Sequence, residues 1–518
     1  MIENNSQLQN KTIAKNTMFL YFRMMVTMLI ALYTSRVVLQ VLGVNDYGIY
    51  QAVGGIVGFL SFVNNALSQG SSRFITYGLG KGNIDGLKKI FATPLTSHII
   101  LAVAIVLVAE TAGLWFLHHR MVFPPDRIAA AEWVFHFSVL TAFFTLTQVP
   151  YNACIIAHEK MTVYAYISIV DAVCKLLIVY MLIIGEMDKL ILYAILHCVL
   201  QVIIITFYWL YCVRHFEESQ FRLYIDKKCF RDIVGFSGWN LFANTAIALN
   251  NQGILILLNM FFTPAVVAAR SISLQVDMAA YQFVTNFQTA ALPQIVKRYA
   301  IKDYEGSKRL LLEMAKYSFF MMLIIAVPIF FTADKLLEIW LGVVPPYTII
   351  FLQLIVIQSL VQVFDTSFYK ALYAKGQLRE NALLSPTCLF VNFVVVYVLF
   401  KLDASPVALS WTTIGCYSFM AFVIKPVLVI KLVNYKWQDL VPVFKDCLKV
   451  VLLSLPIPVI AYYGVKSVHL YLFVDFLVLV LICVLSVAGV VWFIGIDKNM
   501  RTRLVTMARK KMSRSHNS

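Results

Sequence analysis

The sequence predicts an all-α, polytopic membrane protein of about fourteen transmembrane helices. They are read as two pseudo-symmetric six-helix lobes and two extra C-terminal helices. Three observations carry this. The chain is 60% hydrophobic and only 14% charged, with mean hydropathy +0.77, whereas a soluble domain is about 25% charged. Apolar runs long enough to cross a bilayer recur along its length. Lys and Arg alternate between rich and poor loops. The alternating ten-residue segments of a β-barrel are absent.

The predicted spans are 16–40, 48–72, 92–118, 130–152, 162–185, 188–213, 235–260, 265–291, 310–332, 347–372, 380–400, 406–430, 446–465 and 470–494. A short turn from Gly43 to Gly48 joins the first two. The longest polar stretch, Arg214 to Asp232, reads as an amphipathic linker, too short for a soluble domain. The expected organisation is an N-lobe over 1–220, a C-lobe over 221–445, two further helices over 446–495 and a basic tail over 496–518.

Charge orients the spans. With the N-terminus in the cytoplasm, 32 of the 43 Lys and Arg fall in inner segments and 6 in outer loops, a strong inside-positive pattern. Five remain within spans: Arg23, Arg36, Lys175, Arg270 and Lys316. Both termini are therefore expected in the cytoplasm. The polar start, MIENNSQLQNKTIAK, is not a cleavable signal, so the first span is expected to act as the insertion signal. The net charge of +16 is dispersed at helix ends and does not point to nucleic acid. The tail RTRLVTMARKKMSRS is a basic patch suited to anionic lipid headgroups. None of the 9 cysteines forms a CxxC or another metal-ligand spacing. No disulfide, metal or cofactor is expected.

A weak internal repeat supports two lobes. Asn64–Tyr77 and Asn286–Tyr299 share an offset of 222 residues. Each leads into a Gly-x-basic-basic element, at Gly86 and at Gly306. Six spans separate the copies, so the halves would share one orientation, a known transporter plan.

Charged and polar residues inside apolar helices are the functional candidates, because an intramembrane arginine costs about 2.5–3.5 kcal/mol on insertion scales. Only twelve uncharged residues separate Arg23 from Arg36. As a helix they rise roughly 18 Å, short of a hydrocarbon core of about 30 Å. Asn16, Arg23, Thr27 and Thr34 share a face that suits a cavity wall. Arg36, near the outer end, and Arg73, near the inner end, are cavity or snorkelling residues. Tyr164, Ser168, Asp171 and Lys175 share another face, where Asp171 and Lys175 form a structural ion pair or a switchable one. Arg270, Ser273, Asp277 and Tyr281 share a third, with Asp277 roughly 20 Å into its helix, near the midplane. Gln358, Gln362, Asp365 and Tyr369 are either interhelical glue or a surface for sugar hydroxyls. The expected cavity set is thus Arg23, Arg36, Arg73, Arg270, Asp277, Gln358 and Gln362. The ion-coupling or gating candidates are Asp171, Lys175, Asp277 and Asp365. Glu110 and Asp475, near outer helix ends, are expected to reach headgroups.

Several segments resemble a known family: SRVVLQVLGVNDYGIY, VPYNACIIAHEKM, FSGWNLF and ARSISLQVDMAAYQFVTNFQTAALPQIVKRYA. They are similar to the polysaccharide-transporter branch of the multidrug/oligosaccharidyl-lipid/polysaccharide exporter superfamily. Within it they are nearest the Wzx-type O-antigen flippases of Bacteroidetes-like lipopolysaccharide biosynthesis. The resemblance implies a MATE-like fold with a central cavity in the bacterial inner membrane. It implies transport of undecaprenyl-pyrophosphate-linked oligosaccharide between leaflets, with glycan polymerases as partners. An arginine would suit that headgroup, since guanidinium binds phosphate bidentately and stays charged when desolvated. Two competitors are a cation/drug antiporter of the same fold, which should have an acidic cavity, and a membrane enzyme. The outer loops are short and His118, His119 and His136 lack a catalytic partner set, so no catalytic residues are expected. No GxxxxGK[ST] loop is present for ATP.

Overall fold

The computed structural model describes the backbone of residues 2–60, 84–158, 160–184, 187–226, 244–468 and 471–497, with a few isolated positions. Side chains of 2–22, 59, 60, 161 and 466–468 lie outside the description. Among the described residues the secondary structure is helical, and eleven helices are long and apolar enough to cross a membrane.

The difference from the expected fourteen or so has three sources. The first span and the described part of the second fall within one helical run, α1 (Ile2–Leu60). It is broken at Gly43 alone (φ 81°, ψ 169°), so the expected Gly43–Gly48 turn contracts to one residue. Positive φ is open to glycine without steric cost. The start of the 235–260 span lies outside the described residues. The 265–291 span is part of a helix, α8 below, that carries Arg270, Asp277 and a run of Ser, Gln, Thr and Asn, and is not among the eleven.

The chain divides into two compact units. The first comprises Met1–Ile272 with Pro386–Pro406. After α1 it contains α2 (Ile84–Val108), α3 (Leu114–Arg120), α4 (Ile128–Ala157), α5 (Met161–Met181), α6 (Lys189–His215) and α7 (Ile254–Phe261). A π-helical turn over Ala109–Gly113 joins α2 to α3. Gly48 brings α1 against the chain at Pro264. A Cβ there would lie 1.9 Å from the Pro264 carbonyl oxygen, so only glycine permits the approach. The expected amphipathic linker is partly docked. Glu217–Ser219 form a 3-10 turn. The backbone N–H groups of Tyr224 and Asp226 donate to Thr96 Oγ1 (3.0 Å) and Thr93 Oγ1 (3.1 Å) on α2.

The second unit comprises Ser273–Ser385 with Val407–Ser518. Helix α8 (Pro264–Ala300) runs from the first unit into it, followed by α9 (Tyr304–Leu341) and α10 (Thr348–Lys375). The boundary with the first unit falls again within α11 (Arg379–Lys401). Next come α12 (Ala408–Phe419), α13 (Lys425–Val433), α14 (Trp437–Ser454), α15 (Pro456–Val468) and α16 (Leu472–Val490). Asp303 caps α9 by accepting from Gly306 N–H at 2.9 Å. Gly376, at φ 79°, closes α10. A knot of rings holds these helices together. Phe364 lies 5.1 Å from Phe319, 5.1 Å from Phe444 and 5.8 Å from Phe422. Such pairs add about 0.5–1.5 kcal/mol beyond area burial.

Arg127 fastens loops of the first unit. Its guanidinium donates to Asp46 (Nε to Oδ1, 2.9 Å) and to both carboxylate oxygens of Asp188, and Asp188 also caps α6. Burial opposes ionisation of Asp188. The hydrogen bonds from Arg127 and the backbone N–H of Ile191 and Leu190 outweigh it and hold the carboxyl below its ordinary value. A depressed carboxyl stabilises the fold above its unfolded pKa and loses that contribution as pH falls through the folded one. Asp188→Asn should therefore flatten the acid limb of thermal stability measured in detergent. Arg127→Gln should lower stability at neutral pH by about 1.5–3 kcal/mol, the range for a hydrogen bond to a charged group.

Candidate functional site

Two of the predicted polar faces meet inside the first unit. A cavity of about 430 Å³ is lined from α1 by Arg23, Thr27 and Thr34, from α5 by Ser168, Asp171 and Lys175, and from α6 by Tyr193 and His197. The helical period explains the pairing: steps of four and seven return to one face. Tyr164, one turn below Ser168, lies under the Arg23 guanidinium at 4.8 Å from the ring centroid, a cation–π contact. Lys175 Nζ donates to Asp171 Oδ2 at 2.7 Å. That pair neutralises itself, and Arg23 leaves the cavity with one excess positive charge.

Arg23 Nε, Thr34 Oγ1 and His197 Nε2 are buried without a hydrogen bond among the described residues. Buried donors and acceptors are ordinarily paired, so unpaired ones around a polar hollow suit water or a polar ligand. His197 and Tyr193 were not anticipated. They sit four apart on α6, with ring centroids 4.6 Å apart, and their only signal was that i,i+4 spacing within an apolar span.

The other predicted residues are distributed differently. Arg270 is 3% exposed and does not line this cavity. Arg36 is half-buried on α1 and also lies outside the lining. Arg73 falls outside the described residues. The α8 face beyond Ile272 belongs to the second unit and forms a hydrogen-bonded seam with α10. Ser359 donates to the Asp277 carboxylate, Tyr281 and Thr366 hydroxyls lie 2.9 Å apart, and Gln288 donates to Ser367 at 3.0 Å. Gln358 is buried and Gln362 half-buried on α10. This seam is polar glue between helices.

Asp365 has a partner the sequence concealed. Lys425, assigned from the sequence to the inner end of the 406–430 span, is 2% exposed. Its Nζ lies 3.3 Å from Asp365 Oδ1, donates to Ser385 Oγ at 3.0 Å and to Asn381, and sits 5.6 Å from the Tyr369 ring centroid. Asp475 and Glu110 are also paired. Asp475 meets Lys335 at 3.3 Å and Glu110 meets His136 at 2.7 Å. An acid paired with a basic side chain of another helix does not have to reach a headgroup. A larger cavity of about 570 Å³ lies in the second unit near the start of α9. Its four cations face five acids, with Lys308 paired to Glu305 at 2.8 Å and Lys316 to Asp446 at 2.7 Å, so it has no excess positive charge.

A family model described as polysaccharide biosynthesis protein matches residues 13–299. The fold is similar to an inward-facing multidrug resistance MATE family transporter of the MOP superfamily. The TM-score is 0.67 at 14% identity, over 80% of this chain and 99% of that one. It is equally similar to the lipid II flippase MurJ in an inward closed conformation, with TM-score 0.67 at 12% identity, over 92% of this chain and 98% of that one. No curated protein sequence matches.

The buried pair in the second unit makes a separable prediction. Lys425→Met strands the Asp365 carboxylate and should destabilise the protein by about 3–5 kcal/mol. The double variant Asp365→Leu/Lys425→Met should recover most of that loss. Thermal unfolding of the purified variants in detergent measures both.

Proposed function

The chain belongs to the polysaccharide biosynthesis protein family, and from that premise we propose that it is a flippase for lipid-linked oligosaccharide. The substrate class is an undecaprenyl-pyrophosphate-linked repeat unit, such as that of O-antigen, moved from the cytoplasmic to the periplasmic leaflet. The observation that carries the reading is the excess guanidinium of Arg23 in a polar cavity, with its Nε unpartnered among the described residues. A pyrophosphate is the anionic group that such a donor would take bidentately. The likeness to the lipid II flippase MurJ supports the same class of headgroup. Arg23 would capture the headgroup while the polyprenyl tail stays in lipid, and two six-helix lobes would alternate access by rocking. Arg270 would act along α8 during that motion, and Asp171 and Lys175 are the residues proposed to couple it to an ion gradient. Relocation changes no covalent bond, so no catalytic residue is required.

The equal likeness to a multidrug MATE transporter makes a drug or cation antiporter the second reading. A cationic drug would be repelled by a cavity whose one acid, Asp171, is already bound to Lys175. In a strain lacking its own copy, Arg23→Ala and Arg270→Ala should each insert at wild-type levels, by membrane-fraction immunoblot, and fail to restore surface glycan. Normal glycan with both variants removes this mechanism. Restored resistance to cationic dyes without any effect on glycan would favour the antiporter.

A further inference from the structure

The ends of α4 and α6 and the docked linker gather a set of ligating side chains that the transport reading does not use. Cys154 and His158 are four residues apart on α4, so one helix face presents both. Glu218 arrives from the 3-10 turn that follows α6. Cys154 Sγ, His158 Nε2 and a Glu218 carboxylate oxygen all lie within 4.8 Å of one another. His158 Nε2 is 2.6 Å from Glu218 Oε1, and Cys154 Sγ is 3.5 Å from the same oxygen. A second thiol, Cys212 on α6, donates to the Tyr151 carbonyl at 3.5 Å and stands outside this set. Cys154 and Cys212 are fully buried and Glu218 is 5% exposed.

We propose that Cys154, His158 and Glu218 form a zinc site with water as the fourth ligand. A thiolate, an imidazole and a carboxylate are all zinc donors, and a site with three protein ligands keeps its fourth position for water. With metal–ligand distances of about 2.0–2.3 Å, neighbouring tetrahedral ligand atoms stand roughly 3.2–3.7 Å apart. The Cys154–Glu218 separation already has that value. The His158–Glu218 pair holds a proton where the ion would sit and has to open by less than an ångström. Zinc would replace that proton and the Cys154 thiol proton, so binding releases protons. Phe216 stacks on the His158 ring at 4.0 Å and 12°, which fixes the imidazole plane with Nε2 toward Glu218. Outer-shell contacts of this kind orient metal-bound histidines. The site lies on the face that the charge pattern assigns to the cytoplasm, where thiols stay reduced and are available as ligands. Its effect is to fasten the linker to the end of α4, beside its hydrogen bonds to Thr93 and Thr96 on α2.

The test uses the full-length protein purified in detergent under reducing conditions, stripped with a chelator, then supplied with Zn²⁺ alone or Co²⁺ alone. The expected results are about one zinc per chain by elemental analysis, for a single site, and a thiolate-to-cobalt charge-transfer band. Cys154→Ser should abolish the band. His158→Ala and Glu218→Gln should weaken zinc binding beyond the ~10–100-fold typical of outer-shell changes. Helical circular dichroism and gel filtration establish that each variant is folded. Zinc should slow proteolysis at Phe221–Ile225 in the wild-type chain and not in Cys154→Ser. The proposal is overturned if the folded wild-type chain takes up no zinc or gives no band. It is equally overturned if Cys154→Ser binds like wild type, or if mass spectrometry of the reduced preparation finds Cys154 and Cys212 joined as a disulfide.

Discussion

The constraint on which this structure depends is the price of an ionised group away from water. In a chain so poor in charge, each ionisable side chain within a span needs an opposite charge, a hydrogen-bond partner or a wet hollow. The described residues use the first solution repeatedly. Asp171 meets Lys175, Asp365 meets Lys425, Lys316 meets Asp446 and Lys335 meets Asp475. Arg23 has the other solution. Its guanidinium rests on the Tyr164 ring and faces a polar cavity. A charge balanced by a hollow rather than by a counter-charge is one that a ligand can compensate, and this gives Arg23 a different standing from the paired cations.

The pairs themselves are not equivalent. Lys425 and Asp365 are almost excluded from solvent, with side chains 2% and 12% exposed, and a shell of Asn381, Ser385 and Tyr369 surrounds the ammonium. Separating that pair would leave two uncompensated charges in a low-dielectric interior. Lys175 and Asp171 are 40% and 26% exposed and line the cavity beside Arg23. Solvent there lowers the energy of opening the pair. The exposed pair is thus the one that an incoming anion could rearrange, while the buried one holds helices together.

What the sequence disclosed follows from how local each signal is. Hydropathy is a property of twenty neighbouring residues, so most spans could be read directly, and a 3.6-residue period was enough to put Arg23 and Thr27 on one face and Ser168 and Asp171 on another. That these faces share a cavity depends on how α1 packs against α5, which no single window contains. Lys425 gave no signal of its own, because a lysine near the end of an apolar run resembles an interfacial one and its partner lies sixty residues earlier. The α8 face was read correctly as polar. Polarity alone does not distinguish a ligand surface from a seam, and Ser359, Thr366 and Ser367 on α10 decide in favour of a seam beyond Ile272. The cluster at Cys154 escaped for the same reason as Lys425. A cysteine and a histidine four apart are only part of a ligand set, and the rest comes from the linker that follows the next helix.

Polar residues in this protein therefore divide by what surrounds them more than by type. Serine and threonine on α10 close hydrogen bonds to α8, while Thr34 on α1 has a buried oxygen with no partner among the described residues. Arginine clamps two aspartates at position 127 and stands over an aromatic ring at position 23. A satisfied group contributes to holding the bundle and changes little when a ligand arrives. An unsatisfied group in a hollow gains most from a ligand, because the desolvation it has already suffered in folding is then offset. In the first unit the unsatisfied atoms of Arg23, Thr34 and His197 converge on one volume, and that convergence, rather than the presence of arginine in a membrane helix, is the reason to place anion recognition there.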